Sequence, residues 1–258
     1  MVSWSWDRTI RLWDVLSRDE LHLLEGHFKA VSNAQFSPDG SKVISCSFGD
    51  TIRLWDVKTG LEISAFSYAF YHVTFVQFSP DGDKILWCSK NNTIVIWDMK
   101  LQTNTQTFCG HENAVTQVQF SPDGQTIVSC SDDKTIRIWD VASTMSIQTM
   151  KGHLKRITGV HFSPDGRCVV SSSEDKTVRV WNTWSGQQLL LLQGHEKGVT
   201  TAKFSSDGLI IASGSEDNTI RLWNAKTGKL VQILNAHFNF VTDLQFSFDG
   251  HFFAEEIS

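Results

Sequence analysis

Tryptophan returns at a fixed interval of 42 residues, at Trp13, Trp55, Trp97, Trp139, Trp181 and Trp223, with no insertion or deletion between them. An aspartate or asparagine follows each one: Asp14, Asp56, Asp98 and Asp140, then Asn182 and Asn224. Phenylalanine precedes the last five tryptophans by nineteen residues, at Phe36, Phe78, Phe120, Phe162 and Phe204, and Phe246 continues the series. Each phenylalanine opens a turn. It reads Ser-Pro-Asp-Gly four times, then Ser-Ser-Asp-Gly and Ser-Phe-Asp-Gly, and it holds all four prolines of the chain: Pro38, Pro80, Pro122 and Pro164. A period of this length means one small unit repeated, each copy burying its apolar face on the next.

Within a period the apolar residues alternate, the signature of strands rather than of helices. Residues 115–120 form one strand, and Pro122-Asp123-Gly124 a tight turn. Thr126 to Ser131 is a second strand and Asp132-Asp133-Lys134 a second turn. Thr135 to Asp140, rich in β-branched and aromatic residues, is a third strand, and Ser146 to Met150 a fourth. Four short antiparallel strands make a sheet too small to stand alone.

The chain resembles the WD40 repeat family, in which Trp-Asp and Gly-His pairs mark each repeat. Gly-His stands at Gly26-His27, Gly110-His111, Gly152-His153 and Gly194-His195, with Ala236-His237 as a relic. The resemblance spans essentially the whole chain. It implies an all-β propeller of four-stranded antiparallel blades over residues 1–258, a single domain with incomplete first and last units. The strand count fits six blades if Val241 to Phe246 closes the ring beside Met1 to Ser5; the alternative is a fragment of a seven-bladed ring.

Composition excludes several functions. With 23 basic and 28 acidic residues the formal charge is −5, so no cationic excess serves a phosphate backbone, and nucleic acid is not an expected partner. No segment approaches the roughly 20 apolar residues of a membrane span. Five cysteines without a C-x-x-C pair fit a reducing compartment, cytoplasmic or nuclear. No phosphate-binding glycine loop or H-E-x-x-H pair occurs, so neither cofactor nor metal is expected.

His111, Ser129 and Asp133 have the residue types of a hydrolase triad. The same trio recurs as His153, Ser171, Asp175 and as His195, Ser213, Asp217, and three copies of one active site make little chemical sense. The resemblance implies a structural role: a buried chain from Trp139, Trp181 or Trp223 through serine and histidine to aspartate. An indole N–H donates, serine relays, and neutral imidazole accepts at one nitrogen and donates from the other. The chain is therefore expected not to be an enzyme. Repeat two keeps His27, Ser45 and Trp55 but has Gly49 at the aspartate position. Repeat three has Ala69, Trp87 and Asn91 in place of histidine, serine and aspartate, which predicts the loosest or most specialised blade, with Tyr68, Phe70 and Tyr71 repacking the gap.

Loops gathered on the faces of a propeller are free to vary and carry its contacts. The resemblance points to one position just before the turn aspartate: Trp6, Phe48, Lys90, Asp132, Glu174 and Glu216. It also points to one three residues after the histidine: Ala30, His72, Ala114, Arg156, Gly198 and Phe240. An aromatic sector of Trp6, Phe48 and Phe240 would then adjoin an acidic one, suiting a basic protein or peptide partner. On the opposite face the candidate is Trp184, in a hairpin turn. The expected function is an interaction scaffold, monomeric by itself. The alternative is a substrate receptor or regulatory sensor of a larger complex such as a ubiquitin ligase, for which Trp55-Asp56-Val57-Lys58 and Trp97-Asp98-Met99-Lys100 are weak docking-box matches.

Overall fold

The computed structural model describes residues 1–48, 51–67, 72–235, 239–246 and 253–257. The first sheet holds Val2–Trp4, Ile10–Trp13 and Glu20–Leu24 (β1 to β3). Five four-stranded antiparallel sheets follow. They are Val31–Phe36, Lys42–Ser47, Thr51–Asp56 and Glu62–Ser67 (β4 to β7), then Val73–Phe78, Lys84–Ser89, Thr93–Asp98 and Thr103–Cys109 (β8 to β11). Next come Val115–Phe120, Thr126–Ser131, Thr135–Asp140 and Ser146–Lys151 (β12 to β15). Ile157–Phe162, Cys168–Ser173, Thr177–Asn182 and Gln188–Gln193 (β16 to β19) form another. The fifth is Val199–Phe204, Ile210–Ser215, Ile220–Asn224 and Leu230–Leu234 (β20 to β23). Val241–Phe246 and Phe253–Ile257 (β24 and β25) make a two-stranded sheet. No helix among the described residues is long and apolar enough to cross a membrane.

The chain divides into two compact units, Met1–Val118 and Gln119–Ser258. In each, the apolar faces of successive sheets interleave. Ile44, Leu54, Val76, Ile85 and Trp97 share one core in the first unit; Val128, Ile138, Val160, Val169 and Trp181 share one in the second. A Ser-Pro-Asp-Gly or Ser-Ser-Asp-Gly turn joins the first two strands of each four-stranded sheet. Ser121 Oγ donates to Asp123 Oδ1 at 2.5 Å, the carboxylate accepts the Gln125 amide, and Gly124 takes φ of 71°, where a side chain would be strained.

Two bulges recur with the period. The third strand and its outer neighbour slip register just before the tryptophan, as at Ile138/Trp139 and Val180/Trp181, leaving one extra outer residue such as Ile147 or Leu189. On the inner strand the extra residue is Ser32, Thr74, Thr158, Thr200 or Thr242. A bulge bends its strand and re-aims a side chain. Here it aims the hydroxyls of Thr74, Thr158 and Thr200 at the next inner strand, on Val115 O (2.7 Å), Val199 O (2.7 Å) and Val241 O (2.6 Å).

One expectation is corrected. The strand expected to take Met1–Ser5 as its neighbour, Val241–Phe246, takes Phe253–Ile257 instead, and Val2–Trp4 pairs with Ile10–Trp13. A hairpin partner a few residues away costs far less loop entropy than one at the other end of the chain.

Candidate docking surface and the buried polar chains

Ser171 lies on the second strand of its sheet and Trp181 ten residues on, in the antiparallel third strand, so the two side chains meet inside the sheet. Trp181 Nε1–H donates to Ser171 Oγ at 2.8 Å, and the hydroxyl donates to His153 Nε2 at 2.8 Å. His153 Nδ1–H donates to Asp175 Oδ2 at 2.8 Å. Asp175 also accepts from Thr177 Oγ1 (2.6 Å) and the Leu154 amide (2.9 Å). Trp223, Ser213, His195 and Asp217 repeat the arrangement at 2.8–2.9 Å. Trp139 Nε1 donates to Ser129 Oγ at 2.8 Å, His111 is buried, and Asp133 caps its turn by accepting from Thr135. Gly152 is required beside this chain: a Cβ there would meet the Arg179 guanidinium at 2.6 Å and the Trp181 ring at 2.9 Å.

Burial pushes the His153 and His195 pKa values down, against the pull of their aspartates, so both imidazoles are neutral relays. Burial raises the carboxyl of Asp217, but hydrogen bonds from Thr219, the Glu196 amide and His195 outweigh it and lower it to about 2. Ser171 is 0% exposed and already accepts the indole proton, so no substrate reaches its oxygen. The geometry is that of a triad turned into a strut.

Two repeats depart from the pattern in ways the sequence did not reveal. In repeat two the Trp55–Ser45–His27 chain continues, among the described residues, to Thr51 Oγ1, 3.0 Å from His27 Nδ1. Burial, then the Arg53 charge, lowers His27 to about 4. Gly49 and Asp50 lie outside the described residues, as do 68–71, which include Tyr68, Ala69, Phe70 and Tyr71. In repeat three, Trp87 fills the serine position and is buried, and Phe66 packs on Trp97 at 4.3 Å. Ile52, Phe66, Ile85, Trp87 and Trp97 close together without room for a water molecule, an apolar cluster around the position that serine holds in the other repeats.

The two sets of loop positions meet in couples through backbone hydrogen bonds. Phe48 N–H donates to Ala30 O, Lys90 to His72 O, Glu174 to Arg156 O and Glu216 to Gly198 O, at 2.9–3.1 Å. In the first unit Trp6 (82% exposed) and Phe48 (41%) lie with ring centroids 5.8 Å apart. Lys90 and His72 are exposed in the same unit. Phe28, not anticipated from sequence, is also exposed, with the Arg53 guanidinium 5.9 Å from its ring. In the second unit Arg156 Nε lies 2.9 Å from Asp132 and Nη1 4.0 Å from Glu174, so the acidic positions are partly neutralised. Phe240 is exposed, with Lys197 Nζ 5.4 Å from its ring centroid.

Family comparison bears on this arrangement. The family described as WD domain, G-beta repeat, matches residues 18–56, 66–98, 102–140, 144–182, 186–224 and 228–254. The chain belongs to the WD40 repeat family. Comparison with curated proteins returns no match.

Each four-stranded sheet is thus a WD40 blade of the β-propeller kind, and WD40 repeats generally mediate protein–protein interactions. The Trp-Asp pairs are accounted for within the blades. Asp56 accepts from Thr59, and Asp98 from the Lys100 and Leu101 amides, so both docking-box matches are turn caps. Trp184 is 89% exposed, its amide held by Asn182 and its carbonyl by Gln148, which leaves the indole outside its WD40 blade. The bulge threonines carry a signal in the sequence, since threonine recurs with the period at 74, 116, 158, 200 and 242.

Proposed function

We propose that this WD40 chain is a non-enzymatic scaffold whose loop residues dock a protein or peptide partner. The Trp6–Phe48 pair carries the reading. Two large aromatic rings in contact, both open to solvent, are kept at a cost that a surface with nothing to bind would not bear. Burying each such side chain is worth roughly 1.5–3 kcal/mol, the scale of a binding hot spot. The carboxylates at 132, 174 and 216 favour a basic partner through steering and charge-assisted hydrogen bonds. We place the protein in the cytoplasm or nucleus and regard it as monomeric by itself.

Affinity capture with the tagged chain tests this, comparing the native protein with the Trp6→Ala/Phe48→Ala double variant. The double variant is expected to weaken a captured partner by about 2 kcal/mol or more, with melting unchanged. Retention of every partner by a folded double variant would overturn the assignment to these rings. Recovery of ubiquitin-ligase adaptor subunits would instead support the substrate-receptor reading.

A further inference from the structure

The 42-residue period makes each loop of the second unit an internal reference for the next. Arg156 sits between two carboxylates: Asp132, 24 residues earlier, at 2.9 Å, and Glu174, 18 residues later, at 4.0 Å. One period on, the equivalents of those acids are Glu174 and Glu216, but the equivalent of the arginine is Gly198. Both acids are retained and the cation between them is gone. A Cβ at Gly198 would lie 3.2 Å from Glu216 Oε2 and 3.4 Å from Glu174 Cα, so the Glu216 carboxylate and the Glu174 backbone border this point. Gly198 is not among the glycines with positive φ, so the backbone does not require glycine here. Among the described residues Glu216 is exposed and no cationic side chain pairs with its carboxylate.

We propose that a partner supplies the missing cation: an arginine of a docked protein segment lies between Glu174 and Glu216 as Arg156 lies between Asp132 and Glu174. The inference rests on the docking function above and names what that part of the surface recognises. Arginine fits better than lysine because a planar guanidinium presents several N–H donors and engages two carboxylates at once, whereas an ammonium is a point charge. Glycine provides the entry. Any side chain at 198 would start within contact of Glu216 and occupy the space that the incoming group needs.

The substitution Gly198→Arg restores in cis what the partner is inferred to bring. The probe is the capped peptide Gly-Ala-Arg-Ala-Gly, titrated into the isotope-labelled full chain and followed by NMR, with citrulline replacing arginine as the uncharged control. The arginine peptide is expected to shift the Gly198 and Glu216 amide signals saturably, and the citrulline peptide to weaken binding at least tenfold. Gly198→Arg should abolish the shifts with no loss of melting temperature. Glu216→Gln, which removes charge without adding bulk, should weaken binding severalfold and serves if Gly198→Arg does not fold. Equal binding of the citrulline peptide, shifts that avoid these amides, or unchanged binding by Glu216→Gln would overturn the inference. Capture separates the two proposals. A partner lost by Trp6→Ala/Phe48→Ala but fully kept by folded Gly198→Arg leaves the scaffold standing and removes this site.

Discussion

Single residues decide how each blade responds to pH. His153 and His195 each face a carboxylate that opposes the burial cost of a proton, whereas His27, among the described residues, faces the Thr51 hydroxyl and the Arg53 charge. Its folded pKa, about 4, lies below the ordinary 6.5. Above pH 6.5 His27 is neutral whether folded or not, and it adds no pH dependence. Below 6.5 the unfolded chain takes up a proton that the folded site refuses until about pH 4, so stability falls across that window. Denaturant unfolding between pH 7.5 and 4.5 is expected to show His27→Gln with a shallower loss, by about one proton near pH 5. Identical slopes would mean that His27 is not held neutral. The histidine, serine and tryptophan were legible because they recur at fixed offsets. Thr51 was not: its equivalents Thr177 and Thr219 also lie 3.3–3.4 Å from their histidines, but beside an aspartate that takes the shorter bond, and sequence alone does not rank the two.

At the scale of strands, the inner bulge links one blade to the next. The extra residue turns Thr158 Oγ1 onto Val199 O at 2.7 Å, and Thr200 does the same to Val241. A carbonyl at a packed sheet interface needs a donor, and losing one costs about 1–3 kcal/mol. Thr158→Val keeps the shape and removes the hydroxyl, so a loss of about 1–2 kcal/mol in urea unfolding is expected, with native-like circular dichroism. A stability change near zero would show that the hydroxyl does not join the sheets. Strand existence, order and most boundaries were readable from alternation and turn residues. The bulges were not, because a two-residue period carries no mark of the place where one residue is left unpaired. The partner of Val241–Phe246 is hidden from the sequence for a related reason. Strand pattern does not choose between a local and a distant partner, whereas loop entropy favours the local one.

Across the molecule, a fixed frame carries variable loops. The frame residues at 171, 181 and 153 are buried, Asp175 is half-buried, and the four are engaged with one another, so they hold the blade. Loop positions at the same offsets run from tryptophan and phenylalanine in the first unit to acids and Arg156 in the second. The sequence marked these positions, but not that Arg156 partly offsets two of the acids, which depends on side-chain reach across a repeat. Stability and recognition therefore rest on separate residues, and Ser171→Ala tests that separation most directly. Unfolding in urea, measured alongside capture of partners well below the transition, is expected to show a loss of about 1–3 kcal/mol with every partner retained. Unchanged stability, or loss of partners or of an activity while the fold persists, would contradict it.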